Sequence, residues 1–300
     1  MRNEFANQIL DCFKNDSSLF FLTGDLGFGA LEKIKEYYPN RFINSGVAEQ
    51  NMIGVAAGLA DSNHPSFVYS IAPFAVFRCL EQIRVDVCLH DLPVYIVGNG
   101  GGYGYGIMGA THHAIEDLAC LSPMQNIECW IPSFNSDVSF CVQSILSRKK
   151  PAYLRLGIGI DYSSPIRISF INSIIKCSKP SLTIIVQGPI VKNVLQAVKD
   201  FDSIDLFTVL TLPIIENNED ILNSIRDSRK VLVIEEHVKR GGFGEYFLAF
   251  LYEQNISIDN FVSLYAKGYP SKTYGSQSFH QTESGLDVGA IYKSISNILL

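Results

Sequence analysis

The chain reads as an α/β protein made of two doubly wound α/β units. Three observations predict this. Short apolar runs alternate with helical stretches, the run from Val94 closes on Gly98 as a buried parallel strand does, and the rhythm breaks once, over about 157–180, before it resumes. The expected division is a first domain over 1–157, a linker over 158–180 and a second domain over 181–300.

A helix over 4–14 leads through Asn15-Asp16-Ser17-Ser18 into the apolar run 19–22, a short buried strand ending at Thr23-Gly24-Asp25. A helix at 31–37, a strand at 41–44, a helix beginning at Glu49 and a strand at 67–70 follow. Pro73 then opens a helix to about 90, because proline suits a first helical turn. Strand 94–98 leads into a glycine-rich loop, then helix 114–120, strand 128–131, helix 136–147 and strand 152–156. Beyond the connector, strands at 182–187, 204–210 and 231–235 alternate with helices at 191–201, 221–228 and 243–254.

With 47% hydrophobic and 18% charged residues, 300 residues can bury a large core. A net charge of −6, with Arg148-Lys149-Lys150 as the sole basic run, excludes nucleic acid and anionic membrane surfaces as partners. No stretch approaches the ~18–20 apolar residues of a membrane helix, and the N-terminus carries no apolar signal segment. Seven cysteines, odd in number and without a CxxC pair, read as reduced thiols of a cytoplasmic protein.

Glu49 is the residue out of place. From Gln50 to Ala60 there is no charge, and a helix puts Met52, Ile53, Ala56, Leu59 and Ala60 on the face of Glu49. Gly54, Ala57 and Gly58 line the other faces, so the whole helix reads as enclosed. A buried carboxylate must hold its proton or find a partner, which marks a proton-handling candidate. The plainer alternative is a first-turn glutamate stabilised by the helix dipole.

The loop 98–109 has seven glycines in twelve residues and follows a strand's C-terminal end, where open α/β sheets bind ligands. It reads as a substrate-covering loop. Gly104, Gly106 and Gly109 match GxGxxG only formally, since no strand leads into them. Thr111-His112-His113 follows directly, and one of the two adjacent histidines can face the site as a proton carrier; the alternative is capping and packing. No other histidine sits at a zinc-ligand spacing, so no metal is expected to be held by this chain alone. Phe74 and Phe77 share a helix face and suit either a planar heterocycle or the core. Glu235-Glu236-His237 with Gly241-Gly242-Phe243-Gly244 reads as a structural turn rather than an anion site.

As an ordered set, Thr23-Gly24-Asp25-Leu26, Gly46 to Met52, Phe74 with Phe77, Thr111-His112-His113 and Glu235-Glu236-His237 with its glycines resemble the C-terminal half of transketolase, as found in the separate C-terminal chain of split transketolases. The resemblance implies a thiamine diphosphate pyrimidine-binding domain to about Gly157, followed by a transketolase C-terminal domain. It implies that Glu49 hydrogen-bonds N1′ of the aminopyrimidine, that Phe74 and Phe77 stack on that ring, and that Asp25 lies near the cofactor at a subunit interface. His112 would contact substrate oxygens and assist proton transfer. The carbanion chemistry is the cofactor's.

The Gly-Asp-Gly segment with a later asparagine, which holds Mg²⁺ and the diphosphate in this family, is missing. The resemblance therefore implies an N-terminal, diphosphate-binding partner subunit that holds most of the Mg²⁺ site, in an α2β2 heterotetramer, with this chain inactive alone. Met108 stands where transketolases carry a sugar-recognising aspartate, Ala110 replaces the following proline, and a phosphate-binding histidine is replaced near Gly100. Arg2 is a candidate for one phosphate-binding arginine and Arg155 for another. The implied reaction moves a two-carbon ketol unit from a ketose to an aldehyde, with a non-standard sugar among the candidate substrates. The alternatives are a decarboxylating relative, resembling deoxyxylulose-phosphate synthase or the β chain of a 2-oxoacid dehydrogenase, and a non-catalytic partner subunit.

Overall fold

Strands buried on both faces pair in parallel under covering helices, and the longest apolar runs of this chain do so. The computed structural model describes residues 1–26, 29–162, 168–216 and 218–300. Among these, twelve strands form in chain order: β1 (Phe20–Thr23), β2 (Phe42–Asn44), β3 (Ser66–Ile71), β4 (Val94–Asn99), β5 (Glu128–Trp130), β6 (Ala152–Leu156), β7 (Ile171–Ile175), β8 (Leu182–Gln187), β9 (Ile204–Val209), β10 (Thr211–Leu212), β11 (Lys230–Glu235) and β12 (Asn260–Leu264).

The first sheet runs β10-β5-β6-β4-β3-β1-β2, parallel except for β10 against β5. The second runs β12-β11-β8-β9-β7, parallel except for β7 against β9. After β9 the chain passes through buried Leu210, whose carbonyl accepts from Ile131, and then joins the first sheet as β10. The second half of the chain thus supplies an edge strand to the first sheet. Part of the connector expected over 158–180 holds β7, while its residues 163–167 lie outside the described ones.

The helix expected from Pro73 to about 90 is broken into helix Ala72–Val76, a 3₁₀ turn Phe77–Cys79, a single turn Leu80–Gln82 and a π-helix Ile83–Leu89. The spacing of its core residues explains this. Cys79, Ile83 and Val87 recur every four residues and are all fully buried; 3.6-residue turns would rotate that stripe off the core, and wider π turns hold it in place. The helix expected over 114–120 shrinks to Asp117–Leu121 because Ala114 pairs as a β-bridge with Gly102.

The C-terminal ends of β1, β3 and β4 place Gly24, Ser70 and Asn99 along one edge of the first sheet. The helix Glu49–Asp61 starts beside them. All seven cysteines are free. Among the described residues no helix is long and apolar enough to cross a membrane.

Candidate active site

Glu49 opens its helix and is 4% exposed. Met52, Ile53, Ala56 and Ala60 on its face are buried, and Leu59 is half-buried. The expectation of a helix enclosed all round is corrected: Asn51, Val55 and Gly58 form an exposed strip along the opposite side. In the isolated chain nothing covers that strip, which small side chains leave flat.

Both carboxylate oxygens of Glu49 are engaged. Ser70 Oγ donates to Oε1 at 3.3 Å, and Arg78 Nη1 donates to Oε2 at 3.1 Å. Gly24 forms the near wall; a Cβ there would stand 3.6 Å from both Glu49 Oε1 and Ser70 Oγ. An open cavity of about 400 Å³ is lined by Glu49, Arg78, Val47, Gln50 and Asn51.

Arg78 also reaches the next candidate. Its guanidinium carbon lies 4.0 Å from the centre of the Phe74 ring. That ring meets His112 edge-on at 5.1 Å, and His112 lies 5.7 Å from Tyr105. Tyr105 OH accepts from Asn99 Nδ2 at 2.9 Å and borders a second cavity of about 440 Å³, lined also by Arg2, Gly100 and Gly157. Glu49, Phe74, His112 and Arg2 therefore lie along one connected path.

Phe77 does not join it. The break after Val76 puts Phe77 in the 3₁₀ turn, half-buried against the hydrophobic core. Asp25 is exposed, in a left-handed conformation (φ 55°), and is held there by Asn44, which accepts from the Asp25 N–H at 3.1 Å and donates to its carboxylate at 2.9 Å. It adjoins Gly24 but touches neither Glu49 nor Phe74. Met108 is 52% exposed on the 3₁₀ segment Gly106–Thr111, four residues before His112.

The adjacent histidines diverge. His112 Nδ1 lies 2.9 Å from Thr111 Oγ1 on the Phe74 side. His113 is buried the other way, with Nε2 2.7 Å from Gly106 O and Nδ1 3.0 Å from Tyr269 OH. Burial pushes the His113 pKa down.

The glycine-rich loop is a fixed wall rather than a cover. Gly100 and Gly101 N–H both donate to Leu156 O, and Tyr103 N–H donates to buried Glu236 at 2.7 Å. Gly102 has φ 66°, and a Cβ there would collide with the Glu236 carboxylate. Arg155 is not available to a phosphate. It is 4% exposed, with Nε 2.8 Å from Asp117 Oδ2 and Nη2 donating to Ala114 O and Glu236 O. A guanidinium on a strand buried on both faces needs such partners.

In the second unit Glu235 caps the helix Phe243–Glu253, accepting from Phe243 N and Gly244 N at 2.8 Å each. This chain's own carboxylate fills that helix N-terminus, so the turn is structural. Burial pushes Glu235 up to about 7. His237 is pushed down to about 4, chiefly by burial, with the nearby Arg155 charge acting in the same direction.

Sequence reasoning missed Arg78 and Ser70. Arg78 lies four residues after Phe74, a helical neighbour spacing that could have flagged it; Ser70 gave no signal beyond its place at a strand end. The arrangement suits the pyrimidine half of thiamine diphosphate, since a buried carboxylate lines an open cavity and the arginine that lines it too lies over an aromatic ring. Among the described residues no group of three or more His, Cys, Asp or Glu side chains could hold a metal ion.

Residues 1–157 match the family described as transketolase, pyrimidine binding domain, and residues 172–269 match transketolase, C-terminal domain. The chain belongs to the transketolase family, as its pyrimidine-binding and C-terminal portion. It is 31% identical over 217 residues to one of the subunits of the apulose-4-phosphate transketolase of Actinobacillus succinogenes, covering 70% of each chain. It is 30% identical over 261 residues to 1-deoxy-D-xylulose-5-phosphate synthase of Syntrophus aciditrophicus, covering 84% of this chain and 40% of that one. Its fold is that of a split gene transketolase solved as an inactive beta4 tetramer, with a TM-score of 0.83, 24% identity, and coverage of 99% of this chain and 97% of that one.

Proposed function

We propose that the chain is the pyrimidine-binding subunit of a two-chain, thiamine-diphosphate-dependent transketolase that moves a two-carbon ketol unit from a ketose to an aldehyde. One observation carries this reading: Glu49, a buried carboxylate, lines an open cavity together with Arg78, which lies over the Phe74 ring, and His112 stands at that ring's edge. Thiamine diphosphate, when bound, supplies the carbon that stabilises the transferred carbanion. The chain's own residues bind, orient and move protons. Glu49 shares a proton with a pyrimidine ring nitrogen, Phe74 orients the ring by stacking, and Phe77 supports the segment that carries it. His112, its Nδ1 engaged by Thr111, presents Nε2 to a substrate oxygen. Arg2 serves a phosphate or hydroxyl in its cavity, Met108 offers the substrate an apolar contact, and Asp25 lies toward the subunit interface.

Mg²⁺ and the diphosphate fall to an N-terminal partner subunit, in an α2β2 heterotetramer of the cytoplasm. The exposed strip of Asn51, Val55 and Gly58, with Val47 78% exposed beside the cavity, supports a partner chain over this face. The Actinobacillus relative's being one subunit of its enzyme, and the inactive state of the beta4 structure, support a chain that needs its partner for turnover. The relative's name also makes a sugar phosphate the first donor to try.

The test is reconstitution with the N-terminal subunit from the same source, followed by thiamine diphosphate and Mg²⁺ analysis and mass analysis of products. Ketol transfer is expected, and Glu49→Gln should lower it about 100-fold or more. Turnover by this chain alone, or an unchanged rate in Glu49→Gln, would refute the reading. The identity to the Syntrophus synthase favours one second reading, a decarboxylating reaction, for which CO₂ released from pyruvate would be the sign.

A further inference from the structure

We propose that Arg78 is a place-holder for the cofactor's pyrimidine: in the free chain its guanidinium fills the space between the Phe74 ring and Glu49, and it must leave when the pyrimidine enters. This rests on the functional reading above and adds a residue to which that reading gives no part.

A flat heterocycle held by this site needs two surfaces, one face of an aromatic ring and one carboxylate oxygen. Arg78 takes both. Its guanidinium lies over the Phe74 ring at 4.0 Å, and its Nη1 donates to Glu49 Oε2 at 3.1 Å. The other oxygen of Glu49 accepts from Ser70 Oγ. A guanidinium is planar and delocalised and carries N–H donors in a rigid fork, so it stacks on a ring and donates to a carboxylate at once. Those are the interactions a protonated aminopyrimidine would make at the same atoms.

The side chain can leave. It is 47% exposed, while the Glu49 side chain is 3% exposed. Its backbone sits in the 3₁₀ turn Phe77–Cys79, at the break between two helical pieces, and an open cavity lies beside it. Both contacts it would surrender are of the weak, half-solvated kind. Meanwhile it gives a buried carboxylate a partner and covers an aromatic face that would otherwise be bare, which suits a subunit made apart from its partner. A residue that stayed in place would instead block the ring face and hold one of the carboxylate oxygens.

The experiment is calorimetric titration of thiamine diphosphate, with Mg²⁺ present, into the reconstituted two-subunit complex carrying wild-type Arg78, Arg78→Ala or Arg78→Gln. Removing the competitor should tighten binding roughly threefold to tenfold in both variants. Loss of a merely structural contact would not strengthen binding, so the direction of the change separates the two roles. Unchanged or weaker binding in the variants, with the wild type still binding, overturns the place-holder and leaves the functional reading intact. A wild-type complex that binds no thiamine diphosphate overturns both. If Arg78→Ala does not assemble, Arg78→Gln, which keeps most of the side chain's length, decides alone.

Discussion

Replacing Arg155 with methionine should destabilise the chain by about 4–5 kcal/mol, and the loss should shrink in acid. Arg155 lies on β6, fully enclosed. It donates to Asp117 at 2.8 Å, to Ala114 O at 2.6 Å and to Glu236 O at 3.1 Å. Methionine fills much of the volume but leaves Asp117 with only Tyr153 OH, at 2.7 Å, and leaves two buried carbonyls without this donor. Breaking a buried ion pair costs about 3–5 kcal/mol, and each carbonyl adds about 1 kcal/mol or less. His237 sets the pH dependence. Its Nε2 is 3.9 Å from Asp117 Oδ1, and the Arg155 charge helps to hold its pKa down, after burial. Without Arg155, the His237 pKa rises in the folded state, and the imidazolium can pair with Asp117. A group whose folded pKa rises adds stability at low pH that is lost as pH increases. The wild type changes in the opposite sense, since a histidine held at about 4 costs stability as pH falls below 6.5. The deficit of the variant should therefore be smallest near pH 5 and largest at pH 8. Urea unfolding followed by the fluorescence of Trp130, the sole tryptophan and fully buried on the neighbouring β5, reads it directly. Adding Asp117→Asn, which removes the charge and keeps a partner for Tyr153, should recover at least half of the loss. A deficit under about 1 kcal/mol, or one equal at pH 5 and pH 8, would refute this account.

The two phenylalanines should separate binding from stability. Phe74→Ala should weaken thiamine diphosphate binding by the complex about tenfold with little change in unfolding, while Phe77→Ala should cost about 1–3 kcal/mol of stability and alter binding less; equal effects on binding would return Phe77 to the cofactor. Glu235→Gln tests the buried cap. Burial raises the Glu235 pKa from 4.5 to about 7, so its proton stabilises the fold below the ordinary carboxylate range, and that contribution is lost as pH rises through 7. The stability gap between wild type and Glu235→Gln should narrow from pH 5 to pH 8 by up to about 3 kcal/mol, read from unfolding midpoints at three pH values; a constant gap would place the carboxyl in water.

What the sequence made legible follows from where each element gets its stability. Of the nine anticipated strands all but β2, which is a half-buried edge strand, lie almost wholly buried, and β6 and β8 match their expected limits. The missed strands lie at sheet edges. β10 has two residues and exists because Thr211 pairs with Trp130, far away in the chain. β7 carries Asn172 and Ser173, and β12 is at best half-buried, so neither shows a continuous apolar run. The C-terminal helices Gln277–Ser284 and Val288–Leu299 carry a sequence signal of their own. Ser276 and Asp287 cap them, and Ile291, Ile295 and Ile298 form the buried stripe of the second. Glu49 was legible because an eleven-residue stretch without charge surrounds it on one side. The fate of Arg155 was not, because its partner Asp117 lies 38 residues away and only the sheet brings them together.

The polar groups of this face divide by how firmly they are held. Behind the site, Arg155 with Asp117 and Tyr153, Glu236 with Tyr103 and two glutamines, and Glu235 on its helix are buried networks in which each charged side chain is held by fixed donors or acceptors. In front, Glu49 is held by a half-exposed arginine and His112 by its neighbour Thr111, contacts that exchange at small cost. A rigid rear and an exchangeable front are what a site completed by a second molecule requires, because binding then reorders a few side chains rather than the scaffold. The glycine-rich loop belongs to the rear: Gly102 leaves room for the Glu236 carboxylate, and the backbone of Tyr103 bonds to it. The C-terminal unit thereby fixes the wall on which His112 stands, and the cavity side of Glu49 stays open.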